Sequence, residues 1–576
     1  MDRFDKTMAK EEELKFVNYL GNYDGEEIYL LKKVDHRNQG VRKVEIHTNF
    51  KKPIWTTQKR LQTHKQKREY APMKDLDLHM VTNSSVAEAV ARSAKDVFKH
   101  HAYAKLWDVK DSAYFYGGDI THANYIKEWW INNGKETAWN ITALDTETNI
   151  ENPDAEYTTH ISIANKTNSF LGVLRERFEG KGYKNDQEIV NDILQNYIDY
   201  VPNGKELLNS KYREIKLFDD FKSMVETTFD RIHSWETDIL AIWNMDYDIP
   251  RLEKQYIEAG GDIALLYKDP SVPDKFAKYE YKKGNVKSIT ITDDGKEKSH
   301  TKDWFEVTNV LRTSAGFITL DAANVFHAIR SQEPLIEGGM SLNNVLEKIL
   351  DIGKVKDDSV LTGATWHIVT SNKKPAFYSC YSMFDVDAMI LLDEKTEDMM
   401  STAPFQLGSS SWENLSSLPK RLHVAFHFSI MKDNYVVGTA PKRIVKDSIL
   451  GIGGGWIVTV PAFKKLPNRN GMLKEDPKGK NTHFKFVYDF DIISAYPFAT
   501  VAANVSSMTT ECEVVNFGEK LPKSVYLTQI INIVNNKVNA PIFTQKMMNY
   551  PTFRSLYNLD IEAEVREYDE FIINEK

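Results

Sequence analysis

Thr142-Ala143-Leu144-Asp145-Thr146-Glu147-Thr148 reads as a short strand, apolar on entry, that delivers two carboxylates one residue apart. Side chains at i and i+2 of a strand point to the same face, so Asp145 and Glu147 are expected side by side. Two carboxylates that close ionise together cheaply only with a cation between them. Hard oxygen ligands at this spacing suit Mg²⁺ or Mn²⁺, the ions of phosphoryl transfer in water. Alone, most such triplets are a solvated face or a salt-bridge pair. Two further acidic segments downstream change that reading.

From about residue 138 the pattern alternates between strand and helix. Ile161-Ser-Ile-Ala reads as a second strand. Ile189, Val190, Ile193, Leu194, Tyr197 and Ile198 follow helical periodicity, and Phe218, Phe221, Met224, Val225, Phe229 and Ile232 repeat it. Asp238–Trp243 returns to a strand, so a sheet covered by helices is expected. Val286–His300 reads as a hairpin turning at Asp293-Asp294-Gly295, and Ser341 as the N-cap of a helix. A second acidic signal is Ile242-Trp243-Asn244-Met245-Asp246-Tyr247-Asp248-Ile249-Pro250. The strand ends at Asn244 and Pro250 enters the next element, placing Asp248 at a strand-to-helix junction, where α/β sheets put functional groups. The bland alternative is an Asn–Asp turn. A third is Tyr381-Ser-Met-Phe-Asp385-Val-Asp387, where Tyr381 and Asp385 at i and i+4 share a helix face. Its bland alternative is an acid stabilised by the helix dipole.

In this order, Asp-x-Glu, Asn-x₂₋₃-Phe/Tyr-Asp and Tyr-x₃-Asp resemble the exonuclease motifs of proofreading DNA polymerases, and their wide spacing resembles family B of bacteriophage (T-even-like) type. The chemistry is coherent from first principles. Asp145, Glu147, Asp248 and Asp385 can hold two Mg²⁺ (or Mn²⁺) ions about 3.5–4 Å apart. Tyr381 is the natural group to orient the attacking water, with Asn244 and Tyr247 supporting the site. The resemblance assigns the same roles. Asp246 and Asp387 have no counterpart in the motifs and read as surface or supporting acids.

A fourth signal is Gly453-Gly-Gly-Trp-Ile-Val-Thr-Val-Pro461, then Lys464 and Lys465, then Tyr488-Asp-Phe-Asp491-Ile-Ile-Ser494-Ala495-Tyr496-Pro497. This resembles motif A of a family B palm, with Ala495 where Leu is usual. The resemblance implies that Asp491 is a metal-holding catalytic carboxylate, and that Ser494 and Tyr496 bind the incoming nucleotide, Tyr496 under its sugar. Nothing after Asp491 resembles the Asp-Thr-Asp turn that supplies the second palm carboxylate, nor the helix that grips the triphosphate. Nucleotide transfer is therefore expected only with a second chain carrying the remaining palm, fingers and thumb. A natural gene split and a shortened chain would give the same sequence.

The expected division is an N-terminal mixed domain at 1–137, completed by about 392–447 with Ser416–Arg421 as a connecting loop. A 3′–5′ exonuclease domain of RNase H-like α/β fold comes next at 138–391, then the first half of a palm at 448–576. Only Cys380 and Cys512 are present, which excludes cysteine zinc sites and argues for a reducing compartment. No signal peptide or membrane-length apolar run is visible, so the cytoplasm is expected. The net charge of −8 requires any DNA-contacting cations to be concentrated locally. Lys59, Arg60, Lys65, Lys67 and Arg68 form one such run, readable as a phosphate-contacting patch or as a solvated surface. The expected partners are DNA, as a single-stranded 3′ end and primer–template, and the second chain. The resemblance also leaves room for a sliding clamp. The rival readings are a free-standing 3′–5′ exonuclease with a relic palm and a non-catalytic DNA-binding scaffold.

Overall fold

A computed structural model describes residues 12–442 apart from 39, 66, 99, 132–136, 152–155, 292–296, 331–335, 337, 356–360 and 402–417. It also describes the backbone of two short strands, Leu473–Glu475 and Thr482–Phe484. Asp491, Ser494 and Tyr496, with Gly453–Pro461, Lys464 and Lys465, lie outside the described residues, as does the turn at 293–295. Two compact units are distinguished. One holds residues up to Trp55, Leu78–Ala89 and Gly117–Tyr435; the other holds Thr56–Asp77, Val90–Tyr116 and the residues from Val436.

The first unit opens with an antiparallel meander of β1 (Glu12–Tyr23), β2 (Glu26–Asp35) and β3 (Val41–Thr48). Short elements come next along the chain: β4 (Lys52–Thr57), β5 (Tyr70–Pro72), β6 (Leu76–Val81), α1 (Val86–Ser93), α2 (Leu106–Val109), β7 (Phe115–Tyr116) and α3 (His122–Ile131). The main sheet is then built from β8 (Ile141–Asn149), β9 (Tyr157–Ala164), β10 (Asn168–Leu174), β11 (Tyr212–Phe218), β12 (Ile239–Ile242) and β13 (Tyr279–Lys282). A separate hairpin of β14 (Lys287–Ile291) and β15 (Glu297–Thr301) precedes its last strands, β16 (Val310–Thr313) and β17 (Ile318–Asp321). The eight strands lie in the order β11-β10-β9-β8-β12-β17-β16-β13. The run β8-β9-β10 is antiparallel, whereas β12 is parallel to both β8 and β17.

The helices are α4 (Asp186–Tyr200), α5 (Gly204–Ser210), α6 (Phe221–Ser234), α7 (Met245–Glu258), α8 (Ile263–Tyr267), α9 (Ala322–Ile329), α10 (Leu342–Leu350), α11 (Gly363–Lys373) and α12 (Pro375–Thr396). Strand alternation divides the sheet between two cores. Ile141, Ala143, Ile239 and Ala241 point to the side of α4, α9, α10 and α12, together with Phe16, Leu20, Ile28 and Leu30 of the meander. Leu144, Ile161, Leu240 and Ile242 point to the side of α6, α7 and α8. A sheet buried on both faces needs such unbroken apolar strands. Side chains close the helix starts: Asn185 accepts from Glu188 N, Asp220 from Ser223 N, and Ser341 from Asn344 N.

Two expectations shift. Pro250 does not open the next helix but lies inside α7, whose first turn is closed by the Asn244 carbonyl accepting from the Tyr247 and Asp248 amides. The expected loop at Ser416–Arg421 is, from Leu418, the start of a helix reaching Met431, with Pro419 in the first turn where its missing N–H costs nothing. Among the described residues no helix is long and apolar enough to cross a membrane.

In the second unit, chain from beyond position 435 returns to earlier segments. The Gly438 amide donates to Glu69 O at 2.6 Å, Thr439 to Phe115 O at 3.0 Å, and Lys442 to the Asp111 carboxylate at 2.8 Å.

Candidate active site

The exit of β8 decides the site. Ala143 and Ile141 point into the α12 core, so Asp145 and Glu147 continue that face, while Leu144 and Thr146 belong to the α7 side. A register shift in the β8–β9 ladder comes directly after Glu147, where pairing moves from His160 to Thr158; such irregularities re-aim side chains at functional edges. Helix α12 lies across β8 and β9, held by Ser382 against Ser162 at 2.6 Å and Ser379 against His160 at 3.0 Å. This seats Tyr378, Tyr381 and Asp385 over the two strand acids.

Ligand oxygens of Asp145, Glu147 and Asp385 all lie within 4.8 Å of one another, a group that can hold a metal ion. Asp248 stands outside this trio. It reaches the same cleft from the first turn of α7, on the other side of β8, where the Thr146 hydroxyl donates to its Oδ1 at 2.5 Å. Asn244, Tyr247 and Tyr381 also line the cleft. Tyr247 is 36% exposed at its edge, with the Arg251 guanidinium 3.7 Å from its ring centre. The structure thus brings Asp145, Glu147, Asp248, Asp385, Tyr381, Asn244 and Tyr247 to one cleft.

Burial is the main force on every acid here, and at Asp145 and Glu147 like charge adds to it. It lifts Asp145 well above the usual carboxylate range, with Glu147, Asp385 and Asp248 pushing the same way. Glu147 rises to about 8 through burial and the Asp385 charge, against the Tyr378 hydrogen bond and Lys354. Asp248 rises to about 7 through burial, against the Thr146 hydroxyl. Burial also raises Asp385, against Lys354 and Tyr381. The hydroxyls of Tyr378 and Tyr381, raised by burial and the surrounding carboxylates, stay protonated and are donors.

Three contributors go beyond the residues singled out in the sequence. Lys354 donates to Tyr381 Oη at 2.8 Å and to Asp385 Oδ2. Burial opposes its charge, but Asp385, Asp145 and Glu147 outweigh burial and raise its pKa. Tyr378 donates to Glu147 Oε2 at 2.6 Å, and its ring lies parallel to that of Tyr381, with centres 5.8 Å apart. His367 Nδ1 lies 2.9 Å from the Tyr378 hydroxyl. Tyr378 had a signal, three positions before Tyr381 and so on the same helix face. Lys354 and His367 had none.

The donor set fits a hard divalent cation. It is all oxygen; among the described residues four carboxylates face one lysine, and Asp385 Oδ1 is buried without a hydrogen-bond partner. Buried polar atoms are ordinarily paired, and a ligated cation would satisfy this one. Asp387, read as surface or supporting, is instead fully buried. Lys211 at 2.8 Å, Arg213 at 2.7 Å and the Tyr197 hydroxyl at 2.5 Å bind it on the other side of α12. Asp246 pairs with Lys283 at 2.6 Å and Tyr281 at 2.9 Å. No protein-family model and no curated protein matches this chain.

Proposed function

We propose that this chain hydrolyses DNA from its 3′ end with the help of Mg²⁺, as the proofreading portion of a family B replicative DNA polymerase. The observation that carries the reading is the convergence of Asp145, Glu147 and Asp385 within 4.8 Å, with Asp248 facing the same cleft from α7. The RNase H-like class belongs to the proposal. It is supported by an antiparallel meander extended by parallel strands, with the acids at the strand ends and on covering helices.

Asp145, Glu147, Asp385 and, from the far side of β8, Asp248 are the residues that would hold the cations. When bound, Mg²⁺ lowers the pKa of a ligated water and neutralises charge on the leaving oxygen. The protein's own groups do the rest. Tyr381, protonated and fixed by Lys354, presents a hydroxyl that orients the attacking water. The water oxygen bonds to phosphorus, the P–O3′ bond breaks, the proton that the water loses is balanced by the one that the leaving 3′-oxygen takes up from solvent, and a 5′-mononucleotide leaves behind a shorter 3′-hydroxyl end. Lys354 places positive charge beside the phosphate during the step. Tyr378 and His367 hold Glu147 in one orientation. Tyr247, at the edge of the cleft, offers a ring face to an unpaired base. Mispaired ends fray more readily and so reach the cleft more often, which selects errors without base reading.

The test is degradation of 3′-labelled single-stranded DNA with Mg²⁺, wild type against Asp145→Ala plus Glu147→Ala. Loss of cleavage in the double variant is expected, and equal rates would remove the assigned site.

A further inference from the structure

A second surface, sharing no residue with the acidic cleft, has the chemistry of a polyanion platform. Among the described residues, four aromatic side chains are more than 60% exposed. Three of them, Phe98 at 96%, Tyr103 at 80% and Trp107 at 63%, fall within ten residues of the second unit. One exposed ring is ordinary, but a run of them marks an interaction site.

Tyr103 and Trp107 each have a defined neighbour. His100 stacks on His101 with centres 4.5 Å apart and meets Tyr103 at 5.6 Å. Trp107 has one face covered by Lys442 at 5.1 Å, itself paired with Asp111 at 3.2 Å. The underside is fixed. The Gln62 amide donates to Ser93 O at 2.8 Å and accepts from Lys95 N at 2.9 Å. Asp96 accepts from the Ser112 hydroxyl and the Ala113 amide, each at 2.7 Å. The backbone under the rings is thus anchored, and the rings of Phe98 and Tyr103 are exposed.

Charge names the occupant. Residues 56–77 and 90–116 carry eleven Lys and Arg against six Asp and Glu, in a chain whose net charge is −8. Exposed Lys95 and Lys105 flank the rings. Rings interleaved with cations, at a local charge opposite to that of the whole chain, suit bases on a phosphate backbone better than an apolar protein face. We propose that the exposed surface around Phe98, Tyr103 and Trp107, flanked by Lys95 and Lys105, binds single-stranded nucleic acid by stacking bases on the three rings. The proposal does not rest on the nuclease reading.

It is tested by fluorescence anisotropy of a labelled oligothymidylate of 12 nucleotides with the full chain. EDTA keeps the strand intact, salt runs from 50 to 200 mM, and circular dichroism melts check the fold. Replacing Phe98, Tyr103 and Trp107 together by Ala should weaken binding at least about tenfold and leave the salt slope unchanged. Lys95→Gln with Lys105→Gln should lower the slope of log K against log salt by about 1.4. Phe98→Ala alone, which removes almost no packing, should weaken binding about fivefold, so the proposal stays testable if the triple variant misfolds. Folded ring variants that bind the oligonucleotide as tightly as wild type would overturn the proposal and turn the surface over to a protein partner.

Discussion

Asp385 and Asp387 lie two residues apart on α12, and neither is more than 1% exposed, yet their surroundings are opposite. Asp387 is saturated by Lys211, Arg213 and Tyr197, and these partners hold its carboxyl below the usual range despite burial. Among the described residues Asp385 has one cation, Lys354, three acidic neighbours and an oxygen without a partner, and burial holds its carboxyl above the usual range. The first is a finished structural joint between α12 and the segment around β11. The second is incomplete until something positive arrives. A helix two residues out of phase, turned by about 200°, would carry Asp387 to the place of Asp385, so Asp387 and its partners also fix the rotation that aims Asp385 and Tyr381 at β8.

The comparison breaks most sharply by substitution. Asp385→Asn should cut Mg²⁺-dependent exonuclease turnover by about 10³-fold or more and leave thermal stability unchanged or slightly higher, because it removes an under-paired buried acid. A single-turnover assay and a melting curve on the same preparation check both. Asp387→Asn should do the reverse. It strands Lys211 and Arg213 in the interior, so a stability loss of about 3–5 kcal/mol is expected in urea titration. Residual activity per folded molecule should stay within about tenfold of wild type. A stable Asp387→Asn protein would dissolve the distinction.

The pH dependence of stability should also separate the two regions. Glu147 rises to about 8 and Asp248 to about 7 in the fold, so the folded cleft binds protons that the unfolded chain releases near its ordinary carboxylate values. Stability without metal should therefore fall as pH is raised from about 5 to 8. Adding Mg²⁺ should restore it in wild type but not in Asp145→Ala plus Glu147→Ala. The Asp387 joint works the other way. Its contribution is present above the ordinary aspartate value and is lost as pH falls below about 4. Melting temperatures across pH, with EDTA and with Mg²⁺, check both signs. The smallest effect is expected at Thr146→Val, which removes the hydroxyl from Asp248. Activity should drop about fivefold to tenfold, in keeping with about 1–1.5 kcal/mol for one ordinary hydrogen bond.

Much of this was legible in the sequence because it is local. Period-two alternation around Asp145 and Glu147, the i to i+4 pair Tyr381 and Asp385, and the cap at Ser341 each depend on neighbours within one turn or strand. What was not legible depends on distant contacts. Lys354 lies on no periodic element and meets Asp385 across 31 positions, and Asp387 meets Arg213 across 174. Nothing in Phe-Asp-Val-Asp distinguishes its two acids. That α7 begins before Pro250 was hidden because the Asn244 carbonyl, not a capping side chain, closes its first turn. That Asp248 reaches the cleft from the opposite face of β8 is a product of sheet topology, not of spacing.

The most direct measurement is anomalous X-ray scattering from crystals grown with Mn²⁺ and a short single-stranded oligonucleotide. The account predicts Mn²⁺ density ligated by Asp145, Glu147 and Asp385, with Asp385 Oδ1 among the ligands. Crystals that diffract well and show no anomalous peak among these carboxylates, with Lys354 still closed on Asp385, would contradict it.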